Sequence, residues 1–506
     1  MKPLLAVEKD RIRYHKETNI NSVYRSSLIV PKIKSNKTVI TFMNHFLLKR
    51  NYPEIVLKIT GYKKNGESGD SISYVIDQPI VYKFCLEDLG QLYFCYQVEF
   101  FSTRNLFVPF PAVIVNHIGK KSINTVHSYN RILNDSKENE NINKVHLREA
   151  SIDFAMSKKI NTFFVLQTGL IDLKDEFIEI FLEQKNSGYK KFHKKIQFNM
   201  KKMSIKKFNL SEIFKNEFVE KEILPSEYTL RILQPKQNLF YGRLLVGIED
   251  IQSGSFTGNH SYYDNSQFKE YFNTPKSYRT FPYFLKAKNN IRIYPIMSKG
   301  KGIFSVYVNY LKDTKICTKF LEKYNFDNIK TTLSIDVDYL LNKATLKNES
   351  IKTFTIIYSP IDQNKVPTRV NMQLVYGSKL VNILDASLNV SLVNNQIFMP
   401  IGKESYCWVQ MINKVDYFAR IGICFSNYLS EEKENEVEIS LFDSKGCFES
   451  DKIKLSYLDM FELNSEEIKS NDEFIWVVAK SKTPSLQIYT FHTNKDSQIS
   501  SGEHNF

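Results

Sequence analysis

The sequence predicts an all-β protein: tandem antiparallel β-sandwich domains, immunoglobulin-like or jelly-roll-like, in four divergent repeats. Three observations predict it. Short runs alternate apolar and polar residues, long helical periodicity is nearly absent, and a set of landmarks returns at a nearly constant distance.

The alternating runs are "EIVLKIT", "YFCYQVEF", "EFIEIFLE", "FSVYVNYL", "EVEISLF" and "FIWVVA". Period-two alternation places apolar side chains on one face, as half-buried antiparallel strands require. With 37 Phe and 29 Tyr against 2 Trp, the aromatic content also leans toward strands.

The first landmark is a strand running into a Lys-rich turn, starting at Glu54, Glu176, Ile303 and Glu436, so successive starts lie 122, 127 and 133 residues apart. The second is an apolar strand end followed by an acidic turn: "KFCLEDL", "KFNLSEIF", "SIDVDYLL" and the looser "YLDMFEL". The third is a polar cluster, "NTVHSYNR" around His127, "GNHSYYDN" around His260 and "SGEHNF" around His504, reduced to "DASLNVS" near Asn389. An apolar strand precedes each His.

This phasing puts the His-bearing strand last in each repeat. It predicts an N-terminal segment over 1–27 and sandwiches over 28–133, 145–264, 279–393 and 396–506, with linkers at 134–144 and 265–278. Repeats of this size suit sandwiches of about 100 residues, whereas propeller blades have about 40 to 50.

Composition narrows the function classes. The net charge of +14 is spread along the chain, and no nucleic-acid-reading motif accompanies it, so nothing favours nucleic acid. No apolar run approaches the roughly 20 residues of a membrane span. The opening "MKPLLAVEKD" is too short an apolar stretch for an export signal, which makes a cytoplasmic location the default expectation. The six cysteines lie in strand-like runs without zinc spacing and read as buried, reduced thiols.

The His cluster has a functional reading. His260 could act as base, Tyr262 or Tyr263 could bind a sugar, Asp264 could orient the imidazole, and Asp250 ends the preceding strand; His127, Tyr129 and Arg131 occupy comparable places in the first repeat. Two arguments weigh against it. Neighbouring side chains on a strand point to opposite faces, so the cluster cannot all converge. Recurrence in three of four repeats suits a corner residue that each fold copy needs, as tyrosine corners do in other sandwiches.

No zinc pattern, nucleotide-binding fingerprint, nucleophile elbow or Walker motif is present, so the sequence points to no metal and no cofactor. The basic segment over 190–210 reads as a sheet edge guarded by lysines. The expectation is a non-catalytic binding or interaction module for a glycan or a protein partner. The alternative is an enzyme on carbohydrate or another small polar substrate, working at the second-repeat cluster.

Overall fold

An alternating strand has one apolar face and needs another to bury it against. The chain supplies that partner eight strands at a time. A computed structural model describes residues 24–102, 112–127, 130–132, 147–184, 191–218, 221–235, 239–261, 264–265, 271–295, 299–328, 330–346, 349–361, 364–367, 370–378, 384–390, 392, 405–426, 434–483 and 485–504. The chain divides into two compact units, Met1–Phe268 and Lys269–Phe506, and each holds two sandwiches.

In the first sandwich the strands are Tyr24–Pro31, Lys37–Met43, Ile55–Tyr62, Ser68–Ile76, Val81–Cys85, Cys95–Ser102, Ile114–Ile118 and Ile123–His127. One sheet takes the first, sixth, third and fourth strands in that order; the other takes the fifth, second, seventh and eighth, all antiparallel. Consecutive strands thus cross repeatedly between sheets, which ties the two layers together.

The second sandwich has the same order over Leu147–Met156, Ile160–Gln167, Leu173–Gln184, Lys191–Met200, Ile205–Asn209, Ile223–Gln234, Leu245–Asp250 and Phe256–His260. A single pair, Met156 opposite Asn161, joins its layers into one nine-stranded sheet. Lys191–Met200, the basic strand, lies at that sheet's edge, where its lysines oppose edge-to-edge pairing.

The third sandwich runs Ser277–Pro282, Ala287–Ile293, Lys301–Lys312, Lys315–Asp327, Leu333–Asp336, Ser350–Pro360, Met372–Ser378 and Ala386–Val390. The fourth runs Ser405–Ile412, Tyr417–Phe425, Asn435–Asp443, Gly446–Leu455, Phe461–Asn464, Phe474–Ser481, Leu486–Asn494 and Ser500–His504. Both keep the four-plus-four order. The stretch read as a linker over 265–278 contains a short strand, Tyr271–Asn273, paired with Lys365–Pro367.

The landmarks now have physical causes. The Lys-rich turn joins the third and fourth strands; in the third sandwich it is a two-residue loop with Asp313 and Thr314 at φ 46° and 67°, the geometry that matches strand twist in a hairpin. The acidic turn after the fifth strand is a short helix that ties down the second strand in every copy. Glu87 accepts from Thr38 N at 3.0 Å, Ser211 N donates to Asn161 Oδ1 at 3.0 Å, Asp338 accepts from Asn289 N at 3.1 Å, and Ser465 Oγ accepts from Ala419 N at 3.1 Å. In the fourth sandwich this turn is Ser465–Glu467, a few residues beyond the "YLDMFEL" that resembles it in sequence.

Within the second unit, the core of the third sandwich extends to Cys424, Tyr489 and Phe491 of the fourth, which keeps a core of its own. Phe284 meets Phe491 at 5.0 Å between ring centroids, Tyr376 stacks on Phe491 at 5.6 Å, and Phe281 meets Tyr489 at 6.0 Å. Each such buried ring contributes about 1.5–3 kcal/mol by leaving water. Gly422 permits the approach, because a Cβ there would lie 2.6 Å from Pro282 Cβ. No described helix is long and apolar enough to cross a membrane.

Candidate functional site

In the first unit the two eighth strands, Ile123–His127 and Phe256–His260, lie side by side. Polar side chains bridge them where a backbone ladder would otherwise be missing. Gly258 N donates to Asn124 Oδ1 at 2.7 Å, Ser122 Oγ to Phe256 O at 3.3 Å, Lys121 N to Ser255 Oγ at 2.8 Å, and Asn36 Nδ2 to Gly254 O at 2.9 Å. Each contributes about 1 kcal/mol and, more importantly, leaves fewer buried backbone groups unmatched.

The imidazoles fill the space between these strands. His127 and His260 meet edge to face with centroids 4.3 Å apart and planes at 78°. His117, on the neighbouring seventh strand, packs against Phe256 at 5.5 Å, and Phe256 against Phe163 at 5.2 Å. All three rings are buried, at 0 % exposure for His117, 4 % for His127 and 3 % for His260. Burial pushes His117 down to about 3, so it is neutral near pH 7.

His260 Nδ1 lies 3.0 Å from Ser261 O; a carbonyl only accepts, so Nδ1 carries the proton. Ser261 is itself locked to Leu244, donating from N to Leu244 O at 2.6 Å and accepting from Leu244 N on Oγ at 2.9 Å. A backbone carbonyl, rather than a carboxylate, therefore orients the His260 ring.

Asp250 is at the far end of this hairpin. The register pairs Leu245 with His260 and Glu249 with Phe256, which puts Asp250 and His260 roughly 17 Å apart along the strand. Asp250 instead accepts from Ser253 N and Oγ at 2.8 Å and pairs with Lys121 at 3.4 Å. Burial raises its pKa, but the Ser253 donors and Lys121 outweigh that and hold the carboxyl below its usual range. Glu249 is likewise committed, to Lys207 at 2.5 Å and Asn161 at 3.1 Å.

The remaining sequence candidates scatter. Arg131 is 1 % exposed, on the strand Asn130–Ile132 that pairs with Leu239–Gly242. Asp264 begins a short strand opposite Arg148 on the edge of the second sandwich. Tyr129, Tyr262 and Tyr263 lie outside the described residues. Among the described candidates, His127 and His260 are brought together.

Register places the third repeat beside the others. Followed across the sheet, His127 aligns with Ile114, Thr41 and Lys83, His260 with Leu245, Val165 and Lys207, and His504 with Tyr489, Gly422 and Glu462. In the third sandwich Asn389 aligns with Gln373, Arg292 and Ser334, and Ser334, like Lys83, Lys207 and Glu462, lies three residues before the short helix. Asn389 therefore occupies the histidine position, and it accepts from Gln373 Nε2 at 3.0 Å.

Sequence reading missed the bridging amides. Asn130 accepts from Ile29 N and donates to Ile29 O, both at 2.9 Å, imitating a ladder pair with its side chain. Asn residues within otherwise apolar strands were the available signal. It also missed the open clefts of the second unit, one of about 280 Å³ lined by Lys286, Phe418, Arg420, Phe491 and Lys495, and one described below.

No protein-family model matches the chain, and comparison with curated proteins finds no match.

Proposed function

We propose that this chain is a non-catalytic, multi-domain β-sandwich protein that serves as a binding or interaction module for a glycan or a protein partner. The observation that carries the proposal is the enclosed, edge-to-face pair of His127 and His260 on adjacent closing strands. Groups that hold two sandwiches together are not free to accept a proton from a substrate. Both rings are enclosed, and Asp250 is committed to Ser253 and Lys121 rather than to His260.

Clefts on the second unit, at the small end of the size usual for ligands, supply open surface of a kind the seam lacks. The test is a glycan array and an affinity pull-down with the full chain, beside His127→Ala and His260→Ala variants. Binding that persists in every variant that remains folded agrees with the proposal. Turnover of an oligosaccharide that disappears in a folded His260→Asn variant overturns it in favour of the enzyme.

A further inference from the structure

The third sandwich carries a cleft of about 310 Å³ lined by Tyr271, Lys299, Gly300, Lys301, Tyr358 and Lys365. Three separated stretches build it. Lys299 and Gly300 lead into the third strand, which starts at Lys301; Tyr358 lies near the end of the sixth, which closes at Pro360; and Tyr271 and Lys365 come from the short added ribbon.

The glycine in this lead-in has a specific cause. Gly300 has φ 147°, and a Cβ there would meet Asn328 Nδ2 at 3.0 Å. Asn328 N donates to Gly300 O at 2.9 Å, Tyr358 Oη donates to Asn328 Oδ1 at 2.9 Å, and Tyr271 Oη donates to Lys299 O at 2.9 Å. The cleft is therefore a fixed wall of bare backbone braced by two tyrosines. Asn328 is 1 % exposed, and its Nδ2 has no hydrogen-bond acceptor among the described residues.

The cleft gathers positive charge. Some lysines of this sandwich are paired, Lys288 with Asp385 at 3.0 Å, Lys343 with Glu322 at 2.8 Å and Lys352 with Asp459 at 3.8 Å, while Lys312 and Lys315 at the hairpin tip make no ion pair among the described residues. Lys299, Lys301 and Lys365 make no ion pair among the described residues, although Asp327 stands opposite Lys301 in the hairpin. Three ammonium groups beside one concave wall repel each other, and an anion between them relieves that cost.

We propose that this cleft binds a tetrahedral oxyanion, the phosphate or sulfate of a small molecule, with Lys299, Lys301 and Lys365 supplying charge and Gly300 letting the anion approach the backbone. The site goes beyond the binding-module reading and is separate from the histidine seam, so either can fail alone.

Calorimetric titration of the full chain at low salt tests it, with inorganic phosphate, pyrophosphate, sulfate, glucose 6-phosphate and galactose 6-sulfate as probes. The expected result is saturable binding of at least one probe, weakened about tenfold by each of Lys299→Ala, Lys301→Ala and Lys365→Ala, and abolished by the three together. Lys312→Ala and Lys315→Ala, at the hairpin tip of the same sandwich, leave it unchanged. A preference for the sugar esters assigns the group to an ester, and a preference for the inorganic ions assigns it to a free anion; both support the site. No saturable binding of any probe at roughly 1 mM, or binding that survives the folded triple variant, overturns it.

Discussion

The rings of His127 and His260 meet edge to face, 4.3 Å between centroids, across two strands that belong to different sandwiches. An aromatic pair of this geometry contributes about 0.5–1.5 kcal/mol beyond its buried area. His127→Ala and His260→Ala each destabilise the first unit by about 1–3 kcal/mol, and the double variant costs less than their sum. Urea unfolding followed by far-UV circular dichroism reads both; strictly additive losses would remove the coupling.

His117 makes the first unit acid-sensitive. Its usual value is 6.5 and burial lowers it to about 3 in the native state, so between those values the unfolded chain binds a proton that the folded chain refuses. Stability is complete above about pH 6.5 and falls as pH drops toward 3. Asp250, whose pKa is lowered from 3.8, adds a loss of the same sign below that value. His117→Leu flattens the upper window only. Trp408 and Trp476 are both buried in the fourth sandwich, so tryptophan fluorescence follows the second unit and provides an internal control.

Gly422 is where the second unit is tightest. A Cβ would come within 2.6 Å of Pro282 Cβ and 2.9 Å of Phe284 Cζ, and neither backbone-tethered proline nor a packed ring yields cheaply. Gly422→Ala therefore costs about 1–3 kcal/mol, seen as an earlier tryptophan unfolding transition. A neutral substitution would mean that the two sandwiches separate readily.

Thiol chemistry gives a simple check on burial. Cys95, Cys407 and Cys424 are buried, Cys85 and Cys317 half-buried, and Cys447 exposed; burial alone pushes Cys95 up to about 12. A disulfide reagent at pH 8 reacts with one thiol rapidly, and Cys447→Ser removes that phase. Retention of the fast phase would place another cysteine at the surface.

The strands, the hairpin turns and the repeat were legible because each depends on local chemistry: alternation, a Lys-rich turn, an acidic turn. The six cysteines were read as buried, but Cys85 and Cys317 are half-buried, and Cys447 is exposed because it lies just past a hairpin turn on an outward-facing strand. The pairing of sandwiches was hidden, since a period marks copies and says nothing of which face meets which. "YLDMFEL" misled for a related reason: it imitates the acidic turn, but Ser465 makes the bond to Ala419. The cationic cleft was invisible because Tyr271, Lys299 and Lys365 are far apart in the chain.

The central claim is that the recurring histidine strand is a seam between paired sandwiches. Hydrogen exchange by mass spectrometry on the full chain carrying His260→Ala tests it most directly. The account predicts faster exchange together in residues 112–127 and 245–261, with 405–504 unchanged. Faster exchange confined to 256–260, with 112–127 still protected, would contradict it.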